Sequence, residues 1–183
     1  MEKLTNTVNH YVIHHHGATN LSHIKWLANT TIHLSPNNIG HSLGGIEAVN
    51  EIYELYNLDN YDYVVHLHPD VYITNPQIFN EILEIYQDSN ITFFNTHSYP
   101  DDRFYDFDFF IFRPKLLKIN IFNQYHNWTE FVEYYLHDKI FEHSVTHEIL
   151  PRFLNNDWYP RRIDLLGLWH EHNNTLIDNY FKK

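Results

Sequence analysis

Residues 63–75 read YVVHLHPDVYITN. Tyr63 to Leu67 is a near-continuous apolar run of strand length, which predicts a central strand covered on both faces. Pro69 has no N–H to give to a sheet, so it ends the strand and fixes the direction of Asp70. Asp70 thereby becomes a carboxylate at the carboxyl end of a strand, where α/β sheets collect their ligands.

Strand and helix patterns alternate on either side of this segment. Upstream, Tyr11 to His14 and Thr30 to Leu34 read as strands, with Leu21 to Leu27 a short helix between them. The turn cluster Ser35-Pro36-Asn37-Asn38 closes the second strand. Ser42 then starts a helix in which Leu43, Ile46, Val49, Ile52, Tyr53 and Tyr56 recur at three- and four-residue spacing. Downstream, Pro76 to Tyr86 is a second amphipathic helix, Ile91 to Asn95 and Phe107 to Phe112 are strands, and Leu116 to Phe122 is a short helix. Helices are also expected within Asn127 to His143 and over Thr146 to Leu154, the latter kinked at Pro151. The order predicts an α/β three-layer sandwich around a mainly parallel sheet, in one domain spanning residues 1–183.

A chain of 183 residues with 43% hydrophobic and 17% aromatic content can bury a core without staples. Its formal charge is −11, from 12 Lys+Arg against 23 Asp+Glu. No basic run interrupts this balance, which argues against a nucleic-acid polymer as partner, because neutralising phosphates needs clustered cations. The lack of cysteine removes disulfides and thiolate zinc sites and is compatible with the cytoplasm. No signal-peptide pattern opens the sequence, and no run approaches the roughly 20 apolar residues of a membrane helix. The expectation is a soluble, cytoplasmic protein. Its 16 histidines are the unusual feature, open to reading as ligands, pH-sensitive groups or aromatic filler.

The segment SPNNIGHSLGGIEAVNEIYELYNLDNYDYVVHLHPDVYI, residues 35–73, resembles the central part of family 2 inverting glycosyltransferases of the Rossmann-like GT-A fold. That family carries an Asn-x-Gly turn, a helix with Ala-x-Asn, and a strand ending in Asp-x-Asp or a variant. Here these are Asn38-Ile39-Gly40, Ala48-Val49-Asn50 and His68-Pro69-Asp70. Upstream, His15-His16-Gly17 stands where the family has Asp-Asn-Gly, so His15 replaces the acid that contacts the nucleotide base. Downstream, DFDFFIFRPKLL resembles the donor-site strand, and THEILPRFL, with Glu148, resembles the segment supplying the catalytic base. LGLWHEHN resembles the segment with the metal-binding C-terminal histidine. The resemblance spans about residues 11–172 and leaves the family's first strand and helix without a counterpart, which implies a shortened fold.

The resemblance implies a hexosyltransferase-type enzyme of glycan biosynthesis, moving a sugar from a UDP-, GDP- or dTDP-sugar to a glycan hydroxyl with inversion. It implies Mn²⁺ or Mg²⁺ at the diphosphate, held by Asp70 and His170, with His68 ligating directly or through water and His172 competing for the C-terminal position. His15, Asn38, Gly40, Asn50, His68 and Asp70 would meet the nucleotide sugar. Glu148 is the expected general base, at a helix N-terminus, with Asp108, Asp106 and Asp164 in reserve. Asp106-Phe107-Asp108 is itself an Asp-x-Asp, but it precedes the apolar run FFIF and is therefore expected at the opposite strand end from Asp70. Tyr99, Phe104, Tyr105 and Trp169 are candidates to stack on the acceptor sugar.

Each residue has a plainer reading: Asp70 can cap a turn, Glu148 can serve a helix dipole, and Gly40 can shape a loop. His-Pro-Asp also marks the J-domain of co-chaperones, but there it joins two helices, the first of them basic, whereas here an apolar, β-prone run precedes it. Two other functions stay open. One is a non-catalytic carbohydrate- or nucleotide-binding module of the same fold, favoured by histidine in place of acid at positions 15 and 68. The other is a histidine-rich protein that binds divalent metal.

Overall fold

A computed structural model of the chain describes residues 11–16, 30–35, 41–68, 71–73, 77–94, 103, 105, 107–117, 120–123, 131–150, 162–163 and 168–170. Strands β1 (Tyr11–His16) and β2 (Thr30–Ser35) pair in parallel. Strands β3 (Val64–Leu67), β5 (Ile91–Phe94), β6 (Phe109–Phe112) and β7 (His147–Leu150) form a four-stranded sheet in the order β3-β6-β5-β7. Strands β4 (Val71–Ile73), β8 (Arg162–Ile163) and β9 (Leu168–His170) form a separate sheet in the order β4-β9-β8. The helices are α1 (His41–Tyr56), α2 (Gln77–Ile85), α3 (Pro114–Leu117) and α4 (Val132–Glu142).

The mainly parallel, Rossmann-like sheet expected from the sequence is not what forms. Strand β6 runs antiparallel to both its neighbours, β3 and β5, and only β7 joins β5 in parallel. The three-stranded sheet is antiparallel throughout. The fold is mixed α/β. The physical reason lies in β5 and β6, ITFF and FFIF, which are buried along their whole length. Strands covered on both faces are apolar at every position whichever way they run, so composition carries no sign of direction. The same ambiguity misplaced the centre of the sheet. Among the described residues β3 is an end strand with partial exposure, and β6 and β5 hold the interior positions.

Alternating side chains of the sheet build two cores. On one face Ile91, Phe93, Phe110 and Phe112 pack with Ile46 and Val49 of α1, Leu117 of α3, and Val132, Tyr135, Leu136 and Ile140 of α4. On the other, Phe94, Phe109 and Ile111 pack with Phe79 and Ile82 of α2 and with Val71. The buried Tyr135 hydroxyl in this aromatic core is satisfied by donating to the Ile121 carbonyl at 2.7 Å. Arg113, directly after β6, donates from Nη2 to the Leu83 carbonyl at 2.9 Å, so a cation meets the C-terminal turn of α2. Helix α1 ends at Asn57, whose φ of 45° is a left-handed conformation that asparagine tolerates better than most residues.

The helix expected over Thr146 to Leu154 is instead strand β7 as far as Leu150. Ser144, with φ of 52°, turns the chain out of α4, and the Thr146 carbonyl accepts from the Asn90 N–H at 2.8 Å. Pairing with β5, distant in sequence, thus overrides the local helical spacing. The expected helix at Leu21 to Leu27 lies outside the described residues, and the short helix after β6 forms earlier than expected, at Pro114–Leu117.

Candidate functional site

Because β6 runs against β3, its beginning lies beside the end of β3. Leu67 is in register with Phe109, and one residue further His68 donates its N–H to the Asp108 carbonyl at 2.9 Å. Their side chains meet as well, with His68 Nδ1 2.8 Å from Asp108 Oδ1 and both groups partly buried. The expectation that Asp108 sits at the opposite end from His68 followed from assumed parallel strands and is corrected here. Asp106 lies outside the described residues.

The rest of the site is aromatic. His66 stacks on Phe110 with ring centres 4.6 Å apart, lies 4.7 Å from the Phe107 ring and meets His68 edge-on at 5.1 Å. Helix α1 closes over this group at Gly45. A Cβ there would stand 2.8 Å from Phe107 Cε1 and 3.7 Å from His68 Nε2, so only glycine allows this close approach. The sequence reading missed Gly45, Phe107 and His66, although the Gly44-Gly45 pair inside a helical pattern was a signal of backbone contact.

His66 keeps part of its surface, but its Nε2 is sealed from solvent and has no hydrogen-bond partner among the described residues. Burial first, and then the neighbouring His68, push its pKa well below the ordinary histidine value. The folded chain therefore holds His66 neutral while the unfolded chain protonates it as pH falls through about 6.5. Proton uptake by the unfolded state alone means that this contribution to stability is lost as pH drops below that value. We expect His66→Phe to lose about 1 kcal/mol less stability than the parent between pH 7.5 and 5.5, measured by urea unfolding at both pH values. Equal losses in the two proteins would contradict this.

Val71 donates its N–H back to the His68 carbonyl at 3.1 Å. Val71 begins β4, and the antiparallel register sets it opposite His170 of β9. His170 thus stands across from the residue that follows Asp70, which itself lies outside the described residues, as do Asn38 and Gly40. His15 is on β1, in register with Leu34. Asn50 is on α1, where its Oδ1 accepts from Asn120 Nδ2 at 2.6 Å and ties the helix to the segment after α3.

Glu148 is not brought to His68. It lies on β7 in register with Thr92, in a row that runs Val65, Ile111, Thr92, Glu148 across the sheet. Three strand spacings make that row about 14 Å wide, with β3 and β7 at its two ends. Tyr105 is corrected as an acceptor-stacking residue: it is 2% exposed and belongs to the core. Its hydroxyl donates to His147 Nε2 at 2.9 Å, and His147 Nδ1 donates in turn to the Val145 carbonyl at 3.2 Å. Tyr99 and Phe104 lie outside the described residues, and Trp169 is on β9 in register with Tyr72.

Among the described residues no three His, Asp or Glu side chains are gathered closely enough to hold a metal ion. Two described histidines, His68 beside Asp108 and His137 beside Asp138, each have Nδ1 2.8 Å from a carboxylate oxygen. A ring whose Nδ1 faces a carboxylate keeps Nε2 as a lone-pair donor, the form in which imidazole binds a divalent ion. Among the described residues no helix is long and apolar enough to cross a membrane.

No family model and no curated protein matches the chain. Among solved structures, the crystal structure of A197 from STIV aligns with 89% of this chain and 93% of its own, at 12% identity and a TM-score of 0.43. A likeness at that level carries neither fold nor function.

Proposed function

We propose that the chain is a metal-dependent glycosyltransferase that moves a sugar from a nucleoside-diphosphate sugar to a glycan hydroxyl with inversion. The observation that supports this most is the register of β4 and β9, which sets His170 opposite Val71, the residue after Asp70. Sequence motifs far apart in the chain had singled out Asp70 and His170 as ligands, and the register brings the backbone at His170 beside the segment that carries Asp70. The proposal rests on this local arrangement and on the motifs of residues 35–73, and it does not depend on a parallel sheet.

In this reading Asp70, His170 and His68 would hold Mn²⁺ or Mg²⁺, ions that accept carboxylate oxygen with an occasional imidazole. When bound, the ion neutralises charge on the departing diphosphate. Asn38 and Gly40 would meet the nucleotide sugar, and Gly45 keeps α1 close to Phe107 and His68. The acceptor oxygen bonds to the anomeric carbon, the bond from that carbon to the diphosphate breaks, and the acceptor proton passes to a carboxylate. Of the four carboxylates considered for that role, Asp106 and Asp164 lie outside the described residues, and of the other two Asp108 stands at the His68 end of the sheet and Glu148 does not. The base is therefore assigned to Asp108.

A binding experiment tests the first requirement. UDP, GDP and dTDP are each added with Mn²⁺ or with EDTA, and thermal unfolding is followed. A ligand at about a hundred times its Kd stabilises by about 2.7 kcal/mol. For a chain of this length that raises Tm by about 5–10 °C. One of the three is expected to do so with Mn²⁺ only, and no shift with any of them counts against the proposal.

A further inference from the structure

We propose that the outer face of α4 is the seam of a homodimer, in which the helix packs antiparallel against α4 of a second copy across a two-fold axis. This inference is independent of the transferase reading. The buried side of α4 carries Val132, Tyr135, Leu136 and Ile140. Its opposite side is expected to be polar, yet Phe131 at the N-cap is 64% exposed and Phe141 60%. They are the two exposed phenylalanines among the described residues. Phe131, Tyr134, Asp138 and Phe141 follow at steps of three, four and three residues, which places them in one stripe along the helix. Large apolar side chains gathered on an exposed stripe mark a contact surface.

The stripe matches its own reverse. Phe131 and Phe141 stand five residues either side of Leu136, and Tyr134 and Asp138 two residues either side. A two-fold axis level with Leu136 therefore sets Phe131 against Phe141 of the partner subunit, and repeats that pair about 15 Å further along. The same axis sets Tyr134 against Asp138 of the partner subunit. The Arg103 guanidinium lies 4.9 Å from the centre of the Tyr134 ring, so a cation faces a half-exposed carboxylate across the seam. A parallel pairing would instead bring Asp138 against Asp138 of the partner subunit, like charge against like. At the rim Glu142 is neutralised by Lys139 at 2.6 Å. A seam one short helix long belongs to the small, transient class of interfaces.

Sedimentation equilibrium of the full chain tests this, from low micromolar to millimolar protein and in salt that screens the charge of −11 on each copy. A monomer–dimer equilibrium is expected. Phe131→Ala and Phe141→Ala should each weaken the dimer at least about tenfold, because each removes a ring from both aromatic pairs. Neither ring belongs to the core, so urea unfolding of the dilute variants should stay near that of the parent, which separates assembly from folding. The chain has no cysteine, so an equimolar mixture of Phe131→Cys and Phe141→Cys reports the register under mild oxidation. Cross-links between positions 131 and 141 should exceed those between like positions, read from the masses of the linked peptides. A parent that stays monomeric throughout, a dimer indifferent to both alanine substitutions, or cross-links mainly between like positions would overturn the inference.

Discussion

Alanine at Asp70 is expected to reduce sugar transfer by more than about 100-fold, the upper end of what loss of an outer-shell partner costs a metal site. Asp70 is the one carboxylate in the proposed ligand set, since the other members, His68 and His170, are imidazoles. A cation facing a diphosphate needs hard oxygen donors, and two neutral rings do not replace them. The same substitution should remove the Mn²⁺-dependent nucleotide stabilisation. Release of nucleoside diphosphate from a donor, measured with saturating Mn²⁺, checks the first effect, and thermal unfolding with nucleotide checks the second. Transfer within a few-fold of the parent would mean that the turn after β3 does not carry the chemistry.

Phe110→Ala should cost about 3–5 kcal/mol of stability, the usual range for emptying a buried phenylalanine site. Phe110 lies on the interior strand β6, fully buried, with the rings of Phe93, Phe107, Phe112, Phe122 and His66 around it. Those neighbours belong to different strands and loops, and they cannot all collapse into one void. Against a typical total of about 5–15 kcal/mol the loss is severe, and a variant that is unfolded at 37 °C would be in keeping with it. Phe141→Ala is the control. That ring is 60% exposed at the end of α4, and truncating it should stay within about 0.5 kcal/mol. Similar urea midpoints for the two variants would contradict the packing described for β6.

Local patterns in the sequence located α1, α2, α4 and the apolar strands, because each buries a periodic face and is bounded by turn residues. Strand direction was not legible. FFIF is apolar at every position, so nothing in it distinguishes an antiparallel interior strand from a parallel one. That single ambiguity propagated into the site: with β6 assumed parallel, Asp108 fell at the far end, whereas its true direction sets it against His68. THEIL failed for a different reason, since its spacing suits a helix and only pairing with the distant β5 makes it a strand. Glu148 consequently ends up across the sheet from the residue it was expected to serve. The pairing of His170 with Val71, beside Asp70, is also non-local, and no local pattern in either segment announces it.

The measurement that bears most directly on the proposed function is release of nucleoside diphosphate from UDP-, GDP- and dTDP-sugars, with Mn²⁺ present and absent, by the parent and by Asp70→Ala. At least one donor is expected to be consumed by the parent only when Mn²⁺ is present, with Asp70→Ala slower by more than about 100-fold. Nucleotide binding without turnover of any donor would leave a non-catalytic binding module. Neither binding nor turnover, with Mn²⁺ present, would contradict the glycosyltransferase outright.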